Sequence, residues 1–417
     1  MQEQADQQLA LDGGEPLRQT TFAPWPSYAQ DEIDAVSQVL ASGKVNYWTG
    51  HICSRFEAEY AKAVGVEHAI ALANGTLALE LALYALGIGP GDEVVTTSRT
   101  FIASASCVVA RSARPVVADV DPVSQNLTAE TVRAVLTPRT RAIVAVHLAG
   151  WPCDMDALLE LAREHNLFVI EDCAQAHGAL YKGRPVGSFG DAAAFSFCQD
   201  KIVSTGGEGG MLLTSNRELW EKAWAYKDHG KSHEAVFRRE HPPGFRWLHE
   251  SFGSNWRMTE MQAAIGCAQL SKLAEWHAAR NRNAALLSTG LAEIPGLRLT
   301  LPTPEIGHAY YRYYVFLDPA RLLPGWDQTR VIAAINAEGV PCFVGSCGEI
   351  YRELAFTRAG LQPARPHPVA RQLAQTSLAF LVHPTLDGQD MRDTCAAVAK
   401  VMRVACGVPV DMGSATP

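Results

Sequence analysis

Between Glu67 and Met211 the chain alternates short apolar, β-branched runs with stretches whose apolar residues recur at helical spacing. That alternation predicts a mostly parallel sheet covered by helices. Seven runs read as strands: 68–72, 93–97, 115–118, 142–147, 167–170, 192–196 and 210–214. Helices are predicted between them at 77–86, closed by Gly87, at 104–111, and at 154–165, where Asp154 caps a face made by Leu158, Leu159 and Leu161. Each helix is expected to return the chain to another parallel strand. Beyond Arg257 a helical pattern runs over 260–292, long enough to join two domains, and is followed by a strand-like run at 310–316 and a helix at 329–338. The expected organisation is a flexible tail at 1–20, a large domain over 21–275 and a small C-terminal α/β domain over 276–417.

Length agrees with this division, because 417 residues exceed the size at which one hydrophobic core usually stops growing. A formal charge of -8 with no basic stripe argues against a nucleic-acid partner. No apolar run approaches a membrane span, and the polar start at 1–15 lacks the basic and apolar regions of a secretory signal. The ten cysteines are scattered with no CxxC pair, so reduced thiols in a cytoplasmic protein are expected, and no metal site.

In open parallel sheets ligands collect beyond the carboxyl ends of the strands, and four such positions carry unusual groups. After the first strand come Asn74, Gly75 and Thr76 at a helix start, where free N–H groups and a hydroxyl suit an anion; a plain helix cap is the alternative. After the second comes Phe101, a ring that either stacks on a flat cofactor or folds into the core. The apolar run 167–170 ends in Glu171 and Asp172, and a carboxylate there is costly unless it meets a cation such as a protonated pyridine nitrogen. Gln175, three residues on, is in reach of a phenolic oxygen on the same ring; a capping Asp and a solvent-facing Gln form the alternative. Ser196 ends the next strand, Lys201 follows five residues later, and glycines at 206, 207, 209 and 210 let the backbone turn closely. A lysine so placed can form a Schiff base, whereas a phosphate-loop NTPase is excluded by the missing G-x-x-x-x-G-K-[ST] order. Together these are the groups that pyridoxal 5′-phosphate requires.

The set resembles the DegT/DnrJ/EryC1/StrS aminotransferase family of fold type I. The resemblance runs from Phe22 to Val404 and rests on the segments 45–50, 74–76, 171–175, 196–210 and 253–260. It implies Lys201 as Schiff-base lysine, Asp172 on the ring nitrogen, and Gly75, Thr76, Phe101, Gln175 and Ser196 around the cofactor. It also implies a homodimer with shared sites, in which Asn255 reaches the phosphate of the neighbouring subunit. Asn74 stands where the family more often has Ser, and Lys201 sets the chain apart from a dehydratase branch that carries His there. The implied reaction moves an amino group from L-glutamate to a nucleotide-linked keto sugar. Segments 45–50 and 342–351 resemble enzymes of surface-polysaccharide synthesis, which points to a 4-keto-6-deoxyhexose. A cyclitol ketone or 3-keto sugar, and a cofactor-binding regulator without turnover, are the competing readings. Trp48, His229, Tyr313 and His383 are candidates for the sugar pocket or for packed rings and bonded histidines. Arg257 is a candidate for the donor carboxylate or a diphosphate, or for a structural ion pair.

Overall fold

The computed structural model describes residues 8–408. Its main sheet contains β1 (His68–Leu72), β2 (Glu93–Thr97), β3 (Arg114–Ala118), β4 (Thr140–Val146), β5 (Phe168–Asp172), β6 (Ala192–Ser196) and β7 (Gly210–Thr214). The strand order is β1-β7-β6-β5-β4-β2-β3. All seven expected strands are present, within two residues at each end.

One expectation fails at β7. It pairs antiparallel with both β1 and β6, while the other strand pairs of the sheet are parallel. A parallel return needs a long crossover, usually a helix. The β6–β7 connection contains no helix; it is the loop that carries Lys201. The chain therefore doubles back beside β6, with Ser196 opposite Gly210.

The sheet is dry on both sides, since every residue of β2, β6 and β7 is buried. The covering helices include α1 (Ile52–Val64), α2 (Gly75–Ala85), α3 (Ala103–Ala110) and α4 (Met155–His165). Side chains fix where two of them start: Asn74 Oδ1 accepts from Leu77 N at 3.0 Å, and Asp154 Oδ1 from Ala157 N at 3.3 Å.

Helix α5 (Glu260–Leu291) starts in a capping box between Thr259 and Gln262 and runs from the main sheet to a second, antiparallel one. This smaller sheet consists of β8 (Leu297–Leu299), β9 (Tyr313–Leu317), β10 (Cys342–Phe343) and β11 (Ser377–Phe380), in the order β8-β9-β11-β10. With α6 (Gln328–Ala337) and α7 (Gly388–Ala405) it encloses its own apolar cluster, built on Val315, Val331, Leu378 and Val398.

The expected loose tail is corrected over its described part. Leu9 is buried in that same cluster, and Glu338 accepts from Ala10 N and Leu17 N at 2.9 and 3.1 Å. The polar surroundings concealed one apolar anchor and a buried carboxylate that holds the backbone. Residues 1–7 lie outside the described residues.

Candidate active site

The carboxyl ends of β1, β2, β5 and β6 open into a cavity of about 910 Å³, closed from the other side by residues of the small sheet. Its lining contains Gly75, Thr76, Phe101, Asp172, Gln175, Ser196 and Lys201, so seven of the expected residues meet in one space.

Close packing sets the floor. A Cβ on Gly75 would stand 2.7 Å from the Ser196 Cβ, and one on Gly210 would stand 2.3 Å from the Asn74 carbonyl carbon. Only glycine lets the turn before α2 lie against β6 and β7, where the N–H groups of the helix start and the Thr76 hydroxyl share one concavity. Behind Ser196, His177 Nε2 donates to its carbonyl at 2.9 Å, while His177 Nδ1 accepts from Tyr60 Oη at 2.7 Å. Burial holds this imidazole neutral, with a pKa lowered to about 3.

Asp172 is buried and makes no ion pair among the described residues; Ser104 Oγ donates to it at 2.8 Å and Ala174 N at 3.2 Å. Burial raises its pKa, and those two donors only partly offset the effect. A carboxylate in this state is a receptor for a cation. Gln175 is fixed by Ala149 N, which donates to its Oε1 at 2.8 Å, so its amide N–H groups are left to face the cavity and Ser346. Phe101 settles between its two expected positions on the open side: it is 67% exposed and lines the cavity.

Lys201 Nζ lies 3.2 Å from Asp200 Oδ1 and 5.1 Å from the centre of the Tyr311 ring. Burial favours the neutral amine, but Tyr311 and Asp200 outweigh it and hold the pKa above the usual lysine value. The loop backbone is fixed too, because Trp25 Nε1 donates to the Lys201 carbonyl at 2.9 Å.

The remaining candidates lie elsewhere. Trp48 packs against Trp224, Phe237 and the Lys231 ammonium. His229 is exposed at a positive φ of 61°. Arg257 donates to the buried Asp228 at 2.7 Å, the structural ion pair, and Asn255 is bridged to Asp228 through the backbone. None of these four lines the cavity of this chain. Tyr313 is corrected outright: its ring is buried in the small-sheet core and its hydroxyl bonds Ser288 Oγ at 2.9 Å. A strand alternates its faces, so Tyr313 points away from the cavity that Arg312 and Tyr314 line. His383 faces a second cavity of about 440 Å³, stacked on Trp25 with ring centres 5.9 Å apart.

Tyr311, Arg312, Tyr314 and Ser346 line the main cavity without having been singled out from sequence. Their signal was faint, consisting of an arginine within an aromatic strand and a glycine-rich stretch after β10.

His147, Glu171 and Cys173 bring potential metal ligands within 4.8 Å of one another. Glu171 is already saturated, accepting from His147 Nε2 at 3.0 Å and from the N–H groups of Gly187, Phe189 and Gly190 at 2.7 to 2.8 Å. His147 Nδ1 is likewise occupied by Cys153 N. The cluster anchors the end of β5.

Residues 26–399 match the model of the DegT/DnrJ/EryC1/StrS aminotransferase family. Over 295 residues the chain is 45% identical to a GDP-perosamine synthase of Caulobacter vibrioides, covering 70% of this chain and 75% of that protein. It is 38% identical over 419 residues to an L-glutamine:2-deoxy-scyllo-inosose aminotransferase of Streptoalloteichus tenebrarius, covering 95% of this chain and 97% of the relative. The crystal structure of an aminotransferase from Psychrobacter cryohalolentis superposes with a TM-score of 0.91 at 54% identity, over 92% of this chain and 99% of that one.

Proposed function

The chain belongs to the DegT/DnrJ/EryC1/StrS aminotransferase family, and from that premise we propose that it moves an amino group from L-glutamate to a nucleotide-linked 4-keto-6-deoxyhexose, with pyridoxal 5′-phosphate as cofactor. One observation carries the cofactor assignment. Lys201 and the buried, cation-free Asp172 line the same cavity, and Gly75, Thr76 and Ser196 form an anion cradle at its floor. Bound there, the cofactor supplies an electron sink for breaking the bond between the substrate carbon and its hydrogen.

The protein's own groups do the rest. Asp172 would meet a protonated ring nitrogen in a dry site, where such a pair is strong. The start of α2, with Thr76 and Ser196, fixes a phosphate. Phe101 offers its face to a planar ring, and Gln175 offers N–H groups to an oxygen on the ring's edge. Lys201 would bind the cofactor through its amine and, as a free amine, would serve as the base that takes and returns the substrate proton. Asp200 and the Tyr311 ring keep its amine within the cavity during that transfer.

The nucleotide-sugar acceptor is supported by 45% identity to the GDP-perosamine synthase. A cyclitol or 3-keto acceptor is the second reading, favoured by the nearly full-length match to the scyllo-inosose enzyme. A non-catalytic regulator is opposed by the presence of Lys201, Asp172 and Gln175 in one site. We further propose a homodimer, with the division at residue 275 between a large and a small domain. Asn255 lies outside its own chain's cavity, and Phe245, Trp247 and Phe252 are exposed nearby in sequence.

The test is direct. Purified protein loaded with pyridoxal 5′-phosphate is expected to sediment at twice the chain mass and to lose its cofactor absorbance band on addition of L-glutamate. Lys201→Ala is expected to be slower by about 100- to 10,000-fold. Mass spectrometry with nucleotide-linked 4-keto and 3-keto sugars and with a free cyclitol ketone then reads the acceptor. Turnover confined to the cyclitol would remove the hexose assignment.

A further inference from the structure

Among the described residues that line the main cavity, Arg312 carries the only guanidinium. Arg257, the candidate from sequence, is neutralised by Asp228 outside it. No carboxylate among the described residues pairs with Arg312 in turn, since the nearby Asp200 bonds Lys201 and the Tyr311 hydroxyl. The Arg312 Cζ lies 4.8 Å from the centre of the Tyr311 ring, the ring from whose centre Lys201 Nζ stands 5.1 Å. Amine and guanidinium thus share one aromatic neighbour. Arg312 also lines the second cavity, which Lys201 does not.

These positions suit the two ends of one small molecule. A donor whose α-nitrogen takes the place of the lysine amine has its α-carboxylate beside the reacting carbon. Its side-chain terminus stands several bonds away, where Arg312 is the arginine available in the cavity to meet it. A guanidinium meets a carboxylate with two parallel N–H donors, whereas an amide offers one oxygen and turns an NH₂ group towards the same donors. We propose that Arg312 reads the side-chain carboxylate of the amino donor and so selects L-glutamate over L-glutamine. This rests on the aminotransferase reading of the same cavity.

The experiment measures loss of the cofactor band in the loaded enzyme with each donor separately, without acceptor. Arg312→Gln is expected to raise the half-saturating L-glutamate concentration about ten-fold or more and to leave that for L-glutamine within about two-fold. Arg312→Lys, which keeps the charge and loses the fork, is expected to fall between, and carries the test should the glutamine variant fold poorly. Calorimetric titration with glutarate, which bears both carboxylates and no amine, is expected to show the same weakening in the variants. Equal losses for both donors would assign Arg312 to the α-carboxylate or to the fold and overturn the proposal. Unchanged donor responses with a raised KM for the nucleotide substrate would assign it to a phosphate and overturn the proposal equally. A wild-type enzyme that responds to neither donor overturns the aminotransferase reading and this inference with it. A responsive wild type with an indifferent Arg312→Gln overturns this inference alone.

Discussion

At the scale of single residues, Asp172 concentrates the relation between cost and use. Its folded pKa is raised by burial, so the native state binds the proton more tightly than the unfolded chain does. Stability from this group is present at low pH and is lost as pH rises from the unfolded value near 4 through the raised one. In the cofactor-free protein the ionised form of this group is therefore the one that burial penalises. Asp172→Asn is expected to leave the melting temperature of the cofactor-free protein unchanged or higher, while transamination falls by about 100- to 10,000-fold. A marked drop in melting temperature would mean that the carboxylate serves the fold. Asp172 and Ser196 were legible because each ends an apolar strand, and Lys201 because it precedes a glycine-rich turn five residues after Ser196. Trp48 and Tyr313 were not separable from pocket residues by sequence, because an aromatic side chain serves equally for packing, and only tertiary structure tells which face of β9 looks inward.

At the scale of elements, the β6–β7 connection decides the site. Spending that connection on a lysine-bearing loop instead of a crossover helix reverses β7 and brings Gly210 under the turn that starts α2. Gly75→Ala would set a Cβ 2.7 Å from the Ser196 Cβ, a contact that no flexible chain end can relieve. The expected result is a loss of about 1–3 kcal/mol in chemical denaturation, with cofactor affinity weakened in parallel. Wild-type affinity in that variant would show that the turn does not bind the phosphate. The strands and the helix at α5 were readable because local periodicity dictates them. The antiparallel reversal was not, since it depends on what fills a loop. Nor was the approach of Tyr311 and Ser346, which reach the cavity by docking of a separate sheet.

At the scale of the whole molecule, acid is the predicted weakness. His177, His308 and His383 come from three separate stretches of chain, and burial lowers the pKa of each to about 3. The unfolded chain, with histidines near 6.5, then binds more protons than the native one between those values. Stability from these residues is complete above about pH 6.5 and declines as pH falls towards 3, each contributing a slope of up to about 1.4 kcal/mol per pH unit. Denaturation curves between pH 7 and 4 are expected to show this fall, and His383→Gln to flatten it. A stability that stays level over that window would contradict the neutral burial of these rings. The strands of the main sheet were visible in the alternation of apolar runs, whereas the docking of residues 8–20 was hidden by a polar composition. Trp25 holds the Lys201 loop from near one end of the described chain and stacks on His383 from near the other. During synthesis Trp25 and Lys201 therefore leave the ribosome well before His383, so the stacking contact behind the ring that holds the Lys201 loop is completed only late in translation.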